Sequence, residues 1–157
     1  MNSNETYMTL TLNKAWTHQL RTYPNPAVGC LVLSDGEIVA VEAHQKAGTS
    51  HAEVLALISA YETISNKKIE FDRFDAHKAH EFLFALPQGF FAECTVFVTL
   101  EPCSHVGQTP ICNHTKSNKV EEHLENSTLQ KHDNMPHFSH KLCFNVKMVL
   151  SERWSER

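Results

Sequence analysis

The chain has 157 residues and a mass of 17.8 kDa, which suits one domain and leaves no room for two full catalytic domains. Hydrophobic residues make up 41% of it and charged residues 20%, which is enough apolar material for a core and argues against wholesale disorder. The formal net charge of −4 gives no overall positive field, so we expect neither nucleic acid nor an anionic membrane as a partner.

The first residues lack the basic and apolar regions of a signal peptide, and no apolar run approaches the roughly 18 residues of a membrane helix. We therefore expect a cytoplasmic protein. The five cysteines are an odd number, and without a secretion signal they do not predict a disulfide framework. Thiols in a reducing compartment are metal ligands, nucleophiles or small core residues, and the last of these is the prediction for Cys30 and Cys94.

The first half of the chain predicts two helices and a hairpin. Residues 6–20 predict a helix because apolar side chains recur at helical spacing, among them Leu12, Ala15, Trp16 and Leu20. Residues 27–33 and 37–43 are strand candidates separated by a Ser-Asp-Gly turn signal, which predicts a hairpin. Residues 51–63 predict a second helix with Ser50 as its N-cap.

The second half is less regular. Residues 64–93 predict a charged connection followed by a helix near 77–86, and the β-branched run 94–100 is the clearest strand of the chain. Residues 142–150 are the only later stretch that resembles a strand. Helix, hairpin, helix and strand in this order predict an α/β layered domain.

Three short segments stand out as candidates for the functional site. They are residues 24–30, the His51-Ala-Glu53 triplet, and Cys103 with Cys112 nine residues later. One histidine and two cysteines can bind Zn²⁺ as three protein ligands and leave the fourth position to water. Glu53 follows His51 on the same helical turn, where a carboxylate could move the proton of that water without ligating the metal. The order H-x-E and then P-C with a later cysteine is the zinc deaminase pattern.

Each part of this pattern also has a structural explanation. Ser50 and Glu53 stand at the S-x-x-E spacing of a capping box, which would explain Glu53 by helix-end hydrogen bonds alone. Cys103 and Cys112 lack the tight C-x-x-C spacing of most zinc sites. The joint occurrence favours the metal site, because H-x-E opens a helix and P-C closes a strand at what is expected to be the carboxyl edge of one sheet.

The sequence resembles a known family in three blocks: PNPAVGC, His44 followed by AGTSHAEV, and VTLEPCSHVGQTPIC. These blocks are similar to the deaminase domain of the riboflavin biosynthesis (RibD) family over roughly residues 8–112. The resemblance implies a cytidine-deaminase-like three-layer α/β/α fold with a central mixed sheet. It also implies hydrolytic deamination of 2,5-diamino-6-ribosylamino-4(3H)-pyrimidinone 5′-phosphate.

The resemblance also implies the roles of individual residues. It places the zinc ligands on His51, Cys103 and Cys112 and the proton shuttle on Glu53. The implied substrate-binding positions are Asn25, His44, Ser50, His105 and Gln108. The last of these departs from the family, which usually has Lys or Arg there, so a cation near the substrate phosphate is expected to be missing.

The resemblance sets the expected domain organisation. Residues 1–112 form the zinc deaminase domain, with a helical insertion at about 64–93, and the reductase domain that the family carries downstream is expected to be absent. Residues 113–157 contain no glycine and five of the eleven histidines. They are expected to be a loosely ordered tail with solvated histidines, so that the last strands of the sheet are missing or atypical. Their composition fits either out-of-frame translation or an unrelated replacement.

Other functions stay open at this point. A deaminase of a free base, nucleoside or tRNA is one, although these commonly use a tighter C-x-x-C than the Cys103 and Cys112 pair. A non-catalytic zinc-binding fragment is another, and the tail favours it. A dehydrogenase is disfavoured because the chain has no G-x-G-x-x-G. The expected partner is a small phosphorylated pyrimidine, and a homo-oligomer is left open.

Overall fold

A computed structural model describes residues 3–100 and the backbone of a short strand at 147–150. The candidate site residues Cys103, His105, Gln108 and Cys112 lie outside these described residues. Among the helices that are described, none is long and apolar enough to cross a membrane.

The described elements form a mixed sheet with helices on both faces. In chain order they are α1 (Ser3–Trp16), β1 (Gly29–Ser34), β2 (Glu37–Ala43), α2 (Ala52–Ser65), α3 (Ala76–Ala85), β3 (Cys94–Val98) and β4 (Lys147–Leu150). The strand order is β2-β1-β3-β4. Strand β1 runs antiparallel to both of its neighbours, whereas β3 and β4 are parallel. The predicted α/β architecture with a central mixed sheet is therefore confirmed.

The hairpin follows the turn signal in the sequence. Asp35 and Gly36 both adopt positive φ, at 51° and 81°, as the two central residues of a type I′ turn must. Because this two-residue loop pairs Ser34 with Glu37, it fixes the register of β1 against β2. Strand β2 has the predicted bounds, while β1 begins two residues later than expected.

Successive residues of the sheet point to opposite helix layers. Leu31, Leu33 and Phe97 form a cluster on the α1 side, packed against Tyr7 and Met8 of that helix. The alternate residues of the same strands pack with α2 and α3: Cys30, Val32, Val96 and Val98. This alternation produces the three layers. It also confirms Cys30 and Cys94 as buried core thiols, at 0% and 3% exposure.

The first helix is shorter than its apolar spacing predicts. Helix α1 ends at Trp16, and Trp16 and Leu20 are 63% and 86% exposed, so their predicted place on the apolar face is wrong. The Thr17 hydroxyl donates to the Lys14 carbonyl (2.7 Å) and competes with the backbone for the end of the helix. Leu20 then adopts a positive φ of 75°, which no helix can continue.

The region between α2 and β3 contains the predicted helix. Helix α3 begins after Asp75, whose carboxylate accepts hydrogen bonds from the backbone N–H groups of His77 and Lys78. An aromatic cluster packs this region against α2, with Tyr61 of α2 edge-on to Phe82 of α3 at 4.9 Å between ring centroids. Helix α3 is therefore part of the core on the α2 side of the sheet, with Ala79 and Leu83 buried.

One segment of the predicted tail belongs to the sheet. Strand β4 pairs in parallel with β3, from Thr95 opposite Lys147 to Val98 opposite Leu150. This confirms a strand within the candidate stretch 142–150, although it is shorter than that stretch. The remaining residues after 112 lie outside the described residues, so the loosely ordered tail and the boundary at 112 stay predictions.

Gly29 is required by the close packing of α1 on β1. A Cβ atom on Gly29 would collide with the backbone carbonyl oxygen of Thr11. We expect Gly29→Ala to lower the free energy of unfolding by about 1–3 kcal/mol, the usual cost of overpacking. Gly36→Asn is the matched control, since Asn tolerates positive φ and position 36 is open. Urea unfolding should separate the two variants, and equal midpoints would contradict the collision.

Candidate active site

Several loops meet at the end of the sheet where β2 and β3 finish and β1 begins. The Gly29 N–H donates to the Thr99 hydroxyl (3.0 Å), and the Thr99 N–H donates to the Gly29 carbonyl (3.1 Å). On the other side of β1, the His44 N–H donates to the Val28 carbonyl (2.9 Å). These bonds place His44, directly after β2, beside the loop that leads into β1. Cys103 follows Thr99 by four residues in the sequence and lies outside the described residues.

His44 is a buried histidine with an unused acceptor. Its side chain is 4% exposed and its Nδ1 lies 3.1 Å from the Ser50 carbonyl oxygen. Because a carbonyl can only accept, Nδ1 carries the proton and Nε2 is left as the acceptor. Nε2 is buried and has no hydrogen-bond partner among the described residues. A buried polar atom without a partner is costly, so Nε2 is an acceptor with capacity for a further hydrogen bond.

Burial also keeps His44 neutral. It lowers the pKa of the imidazole, and the neighbouring His51 and His18 lower it further, while the Ser50 carbonyl opposes them. The resulting neutral ring presents one donor to Ser50 and one acceptor to the site.

His51 and Glu53 lie together at the start of α2. His51 is the N-cap residue, with extended φ and ψ, and its side chain makes no capping hydrogen bond. Its ring stands edge-on to that of His44, with 5.5 Å between the centroids. Glu53, in the first turn, is only 4% exposed. After burial itself, the Glu53 charge is the main reason that the pKa of Cys30 is raised, which places Glu53 near the beginning of β1.

The predicted capping box does not form. Helix α2 begins at Ala52, so His51 is the N-cap and Ser50 lies outside the helix. The Ser50 hydroxyl donates instead to the Arg73 carbonyl (2.7 Å), 23 residues away. Since Ser50 and Glu53 are not related as N-cap and N3, the S-x-x-E spacing does not explain Glu53.

Asn25 lies on the loop that leads into β1. Its backbone is fixed by Thr22: the Asn25 N–H donates to the Thr22 carbonyl (2.8 Å), and the Thr22 hydroxyl donates to the Asn25 carbonyl (2.9 Å). Its side chain is exposed. The structure therefore brings His44, Ser50, His51 and Glu53 together and places Asn25 on an adjoining loop.

His18 lies near His44, and no motif in the sequence indicated this proximity. Its Nδ1 is buried without a hydrogen-bond partner among the described residues, and its charge is close enough to lower the pKa of His44. His18 stands alone after the first helix, outside every motif, so no pattern distinguished it from the other histidines.

The described part of the site fits a zinc ion. The ligands implied by the sequence are an imidazole and two thiolates, a donor set typical of catalytic zinc. The His51 side chain makes no capping hydrogen bond, and the buried carboxylate of Glu53 lies two residues further along the chain. Within the described ranges no three metal-binding side chains are clustered, and two of the three ligands that the resemblance implies, Cys103 and Cys112, lie outside those ranges.

Comparisons with known proteins identify the family. Residues 1–122 match the family described as the cytidine and deoxycytidylate deaminase zinc-binding region. Riboflavin biosynthesis protein RibD of Escherichia coli K12 is 38% identical over 109 residues, which cover 69% of this chain and 22% of that protein. The diaminohydroxyphosphoribosylamino-pyrimidine deaminase of Buchnera aphidicola (Acyrthosiphon pisum) is 32% identical over 106 residues, covering 68% of this chain and 54% of that protein.

A solved structure of Acinetobacter baumannii RibD is 34% identical and aligns with 69% of this chain and 23% of its own, at a TM-score of 0.49. The chain thus spans about a fifth of the length of the RibD proteins it matches, 22% for the one from E. coli. The family match begins at residue 1 and continues to residue 122, ten residues past the second cysteine. This chain belongs to the cytidine and deoxycytidylate deaminase family, and its N-terminal region is homologous to the deaminase region of RibD proteins.

Proposed function

We propose that this chain is a zinc-dependent hydrolytic deaminase that acts on 2,5-diamino-6-ribosylamino-4(3H)-pyrimidinone 5′-phosphate. The observation that carries the proposal is the buried carboxylate of Glu53 beside the N-cap His51, at a helix start where Ser50 forms no capping box. The names of the relatives support the substrate, since one is called a diaminohydroxyphosphoribosylamino-pyrimidine deaminase.

His51, Cys103 and Cys112 are the proposed zinc ligands. When bound, zinc supplies a Lewis acid that lowers the pKa of water at the site to near neutrality. The position of His51 at the N-cap keeps its ring beside that of His44, at 5.5 Å between centroids. Residues 1–112 are proposed to be the catalytic unit, with residues 64–93 as a helical insertion.

Glu53 is the proposed proton shuttle. Water adds to the ring carbon that bears the amino group, and the Glu53 carboxylate takes the proton that the water loses. The carboxylic acid so formed gives this proton to the amino nitrogen, the C–N bond breaks, and ammonia leaves. The low exposure of Glu53, 4%, keeps bulk water from competing for this proton.

The remaining site residues are proposed to bind the substrate. The Nε2 of His44, which has no hydrogen-bond partner in the described part of the chain, accepts a hydrogen bond from a substrate N–H or O–H group. The Asn25 amide offers a donor and an acceptor to the edge of the pyrimidine ring. Ser50 acts through its carbonyl, which holds His44 in the required tautomer. His105 and Gln108 complete the proposed set from the segment between the two cysteines.

Ammonia release by the zinc-loaded full chain tests this function. We expect release from the phosphorylated diaminopyrimidine and at least about tenfold lower kcat/KM with cytidine and deoxycytidylate, because the polar groups of a site reject a substrate that leaves them unpaired. Release from cytidine or deoxycytidylate alone would replace the proposal with a nucleoside or nucleotide deaminase. A zinc-loaded chain that releases no ammonia from any of the three would be a non-catalytic zinc-binding protein.

A further inference from the structure

We infer that Arg73 is a positioning residue for the candidate active site. It lies outside the site and fixes the two backbone carbonyls to which Ser50 donates hydrogen bonds. Arg73 lies in residues 66–75, the α2–α3 connection, within the stretch 64–93 that is proposed above to be an insertion. The inference rests on the proposed function, because it concerns the orientation of His44 and His51.

Ser50 uses all three of its polar groups in this arrangement. Its hydroxyl donates to the Arg73 carbonyl (2.7 Å) and its N–H donates to the Phe74 carbonyl (3.3 Å). Its own carbonyl accepts from Nδ1 of His44 (3.1 Å). Ser50 is fully buried, and the next residue is the N-cap His51. The consecutive carbonyls of Arg73 and Phe74 therefore fix the orientation of Ser50. Ser50 links the two histidines, because its carbonyl accepts from the His44 ring and its peptide bond leads to His51.

The guanidinium of Arg73 anchors those carbonyls to the body of the domain. One nitrogen donates to Glu62 Oε2 (2.6 Å), and another donates to the Ser59 hydroxyl (2.9 Å). Ser59 in turn donates to Glu42 Oε1 (2.7 Å) on β2. The planar fork of an arginine can serve two acceptors at fixed angles, which a lysine ammonium cannot reproduce. Arg73 thus ties the connection to α2 and, through Ser59, to β2.

Glu62 is a suitable anchor because its carboxylate is 7% exposed and charged. Burial raises its pKa, but hydrogen bonds from the Ile69 N–H and from Arg73 outweigh burial and leave the pKa below its usual value. The Ile69 N–H binds the other carboxylate oxygen, Oε1, at 3.2 Å. Both ends of the connection are therefore held by one side chain of α2.

These contacts close a circuit around the site. Helix α2 follows the N-cap His51 and carries Glu53 in its first turn and Glu62 near its end. Glu62 binds the Arg73 guanidinium, and the Arg73 carbonyl accepts from Ser50, which directly precedes His51. Without the guanidinium, the peptide between residues 73 and 74 loses its anchor. The Ser50 hydroxyl and N–H then lose fixed acceptors, and the hydrogen bond that sets the His44 tautomer weakens.

Arg73→Met tests the inference on the full chain, with Lys68→Met as the matched control. Lys68 also contacts Glu62 Oε2, at 3.6 Å, but its side chain is 86% exposed and takes no part in the circuit. We expect Arg73→Met to raise the zinc Kd about 10- to 100-fold in competition with a chromogenic chelator, as for other groups that orient a metal ligand. We also expect faster solvent exchange of the His44 Nδ1 proton in side-chain ¹⁵N NMR. Lys68→Met should change neither quantity.

Arg73→Lys is the second variant. It keeps a cation opposite Glu62, so it preserves the fold if Arg73→Met does not, and it should show the same two effects at smaller size. Wild-type values for zinc Kd and His44 exchange in Arg73→Lys and in any folded Arg73→Met would overturn the inference. Equal effects of Lys68→Met would also overturn it, because the cause would then be the charge of Glu62. Neither readout needs turnover, so a wild-type chain that releases no ammonia would refute the proposed function and leave the Arg73 test intact.

Discussion

Glu53→Gln is expected to retain zinc and to lose about 10²–10⁴-fold in kcat, the contribution of a positioned proton-transfer group. Gln has the shape of Glu, so it fits a position that is 4% exposed without leaving a void. Its amide can neither take the proton from water nor deliver it to the amino nitrogen. Steady-state ammonia release measures the loss, and metal analysis of the same preparation measures the zinc.

The same variant distinguishes catalysis from helix capping. Gln serves in a capping box as Glu does, so a purely structural Glu53 would leave kcat unchanged. Glu81→Gln, an exposed position on α3, is the matched control for the chemical change and should have wild-type kcat. A Glu53→Gln enzyme with wild-type kcat would contradict the proton-shuttle role, whereas one that has lost its zinc would place Glu53 among the metal-supporting groups.

The sequence predicted best where the structure depends on neighbouring residues alone. The positive φ of Gly36 and the β-branched run of β3 are local properties. The turn appears as predicted, and the strand begins at Cys94 as predicted but ends at Val98, two residues earlier than expected. Helix α3, capped by Asp75, begins at Ala76, one residue before the predicted start. His51 and Glu53 were identified from their two-residue spacing. In the structure His51 is the N-cap of α2 and its ring lies next to that of His44, while Glu53 lies in the first turn of the same helix.

The failures come from contacts made at long range. The S-x-x-E spacing predicted Ser50 as a cap, but the hydroxyl found the Arg73 carbonyl, which no local pattern can reveal. Apolar spacing extended the predicted first helix to Leu20, although the helix ends at Trp16 and its buried residues are Thr11 and Ala15. His18 gave no signal because a lone histidine becomes informative only once a second buried imidazole is known to lie nearby.

Cys103→Ser and Cys112→Ser are each expected to abolish stable zinc binding, from about one ion per chain to near zero by metal analysis. A thiolate is a strong zinc ligand, whereas a serine hydroxyl stays protonated near neutral pH and binds zinc poorly. Because His51 and the cysteines come from distant parts of the sequence, the ion also links segments that are separate in the unfolded chain. Loss of the site should therefore lower the Tm of either variant relative to zinc-loaded wild type.

Cys94→Ser is the matched control for the thiol change. Cys94 is the first residue of β3 and lies at the end of the strand away from the site. Burial raises the pKa of its thiol, and a hydrogen bond with Ser34 partly opposes this rise. A serine hydroxyl at position 94 can replace that hydrogen bond. This variant should keep its zinc, as should Cys143→Ser. A chelator should lower the Tm of wild type and Cys94→Ser but leave that of Cys103→Ser unchanged, because only the first two carry an ion to lose. Full zinc content in Cys103→Ser or Cys112→Ser would show that the ion is held elsewhere, and the ligand assignment would then be wrong.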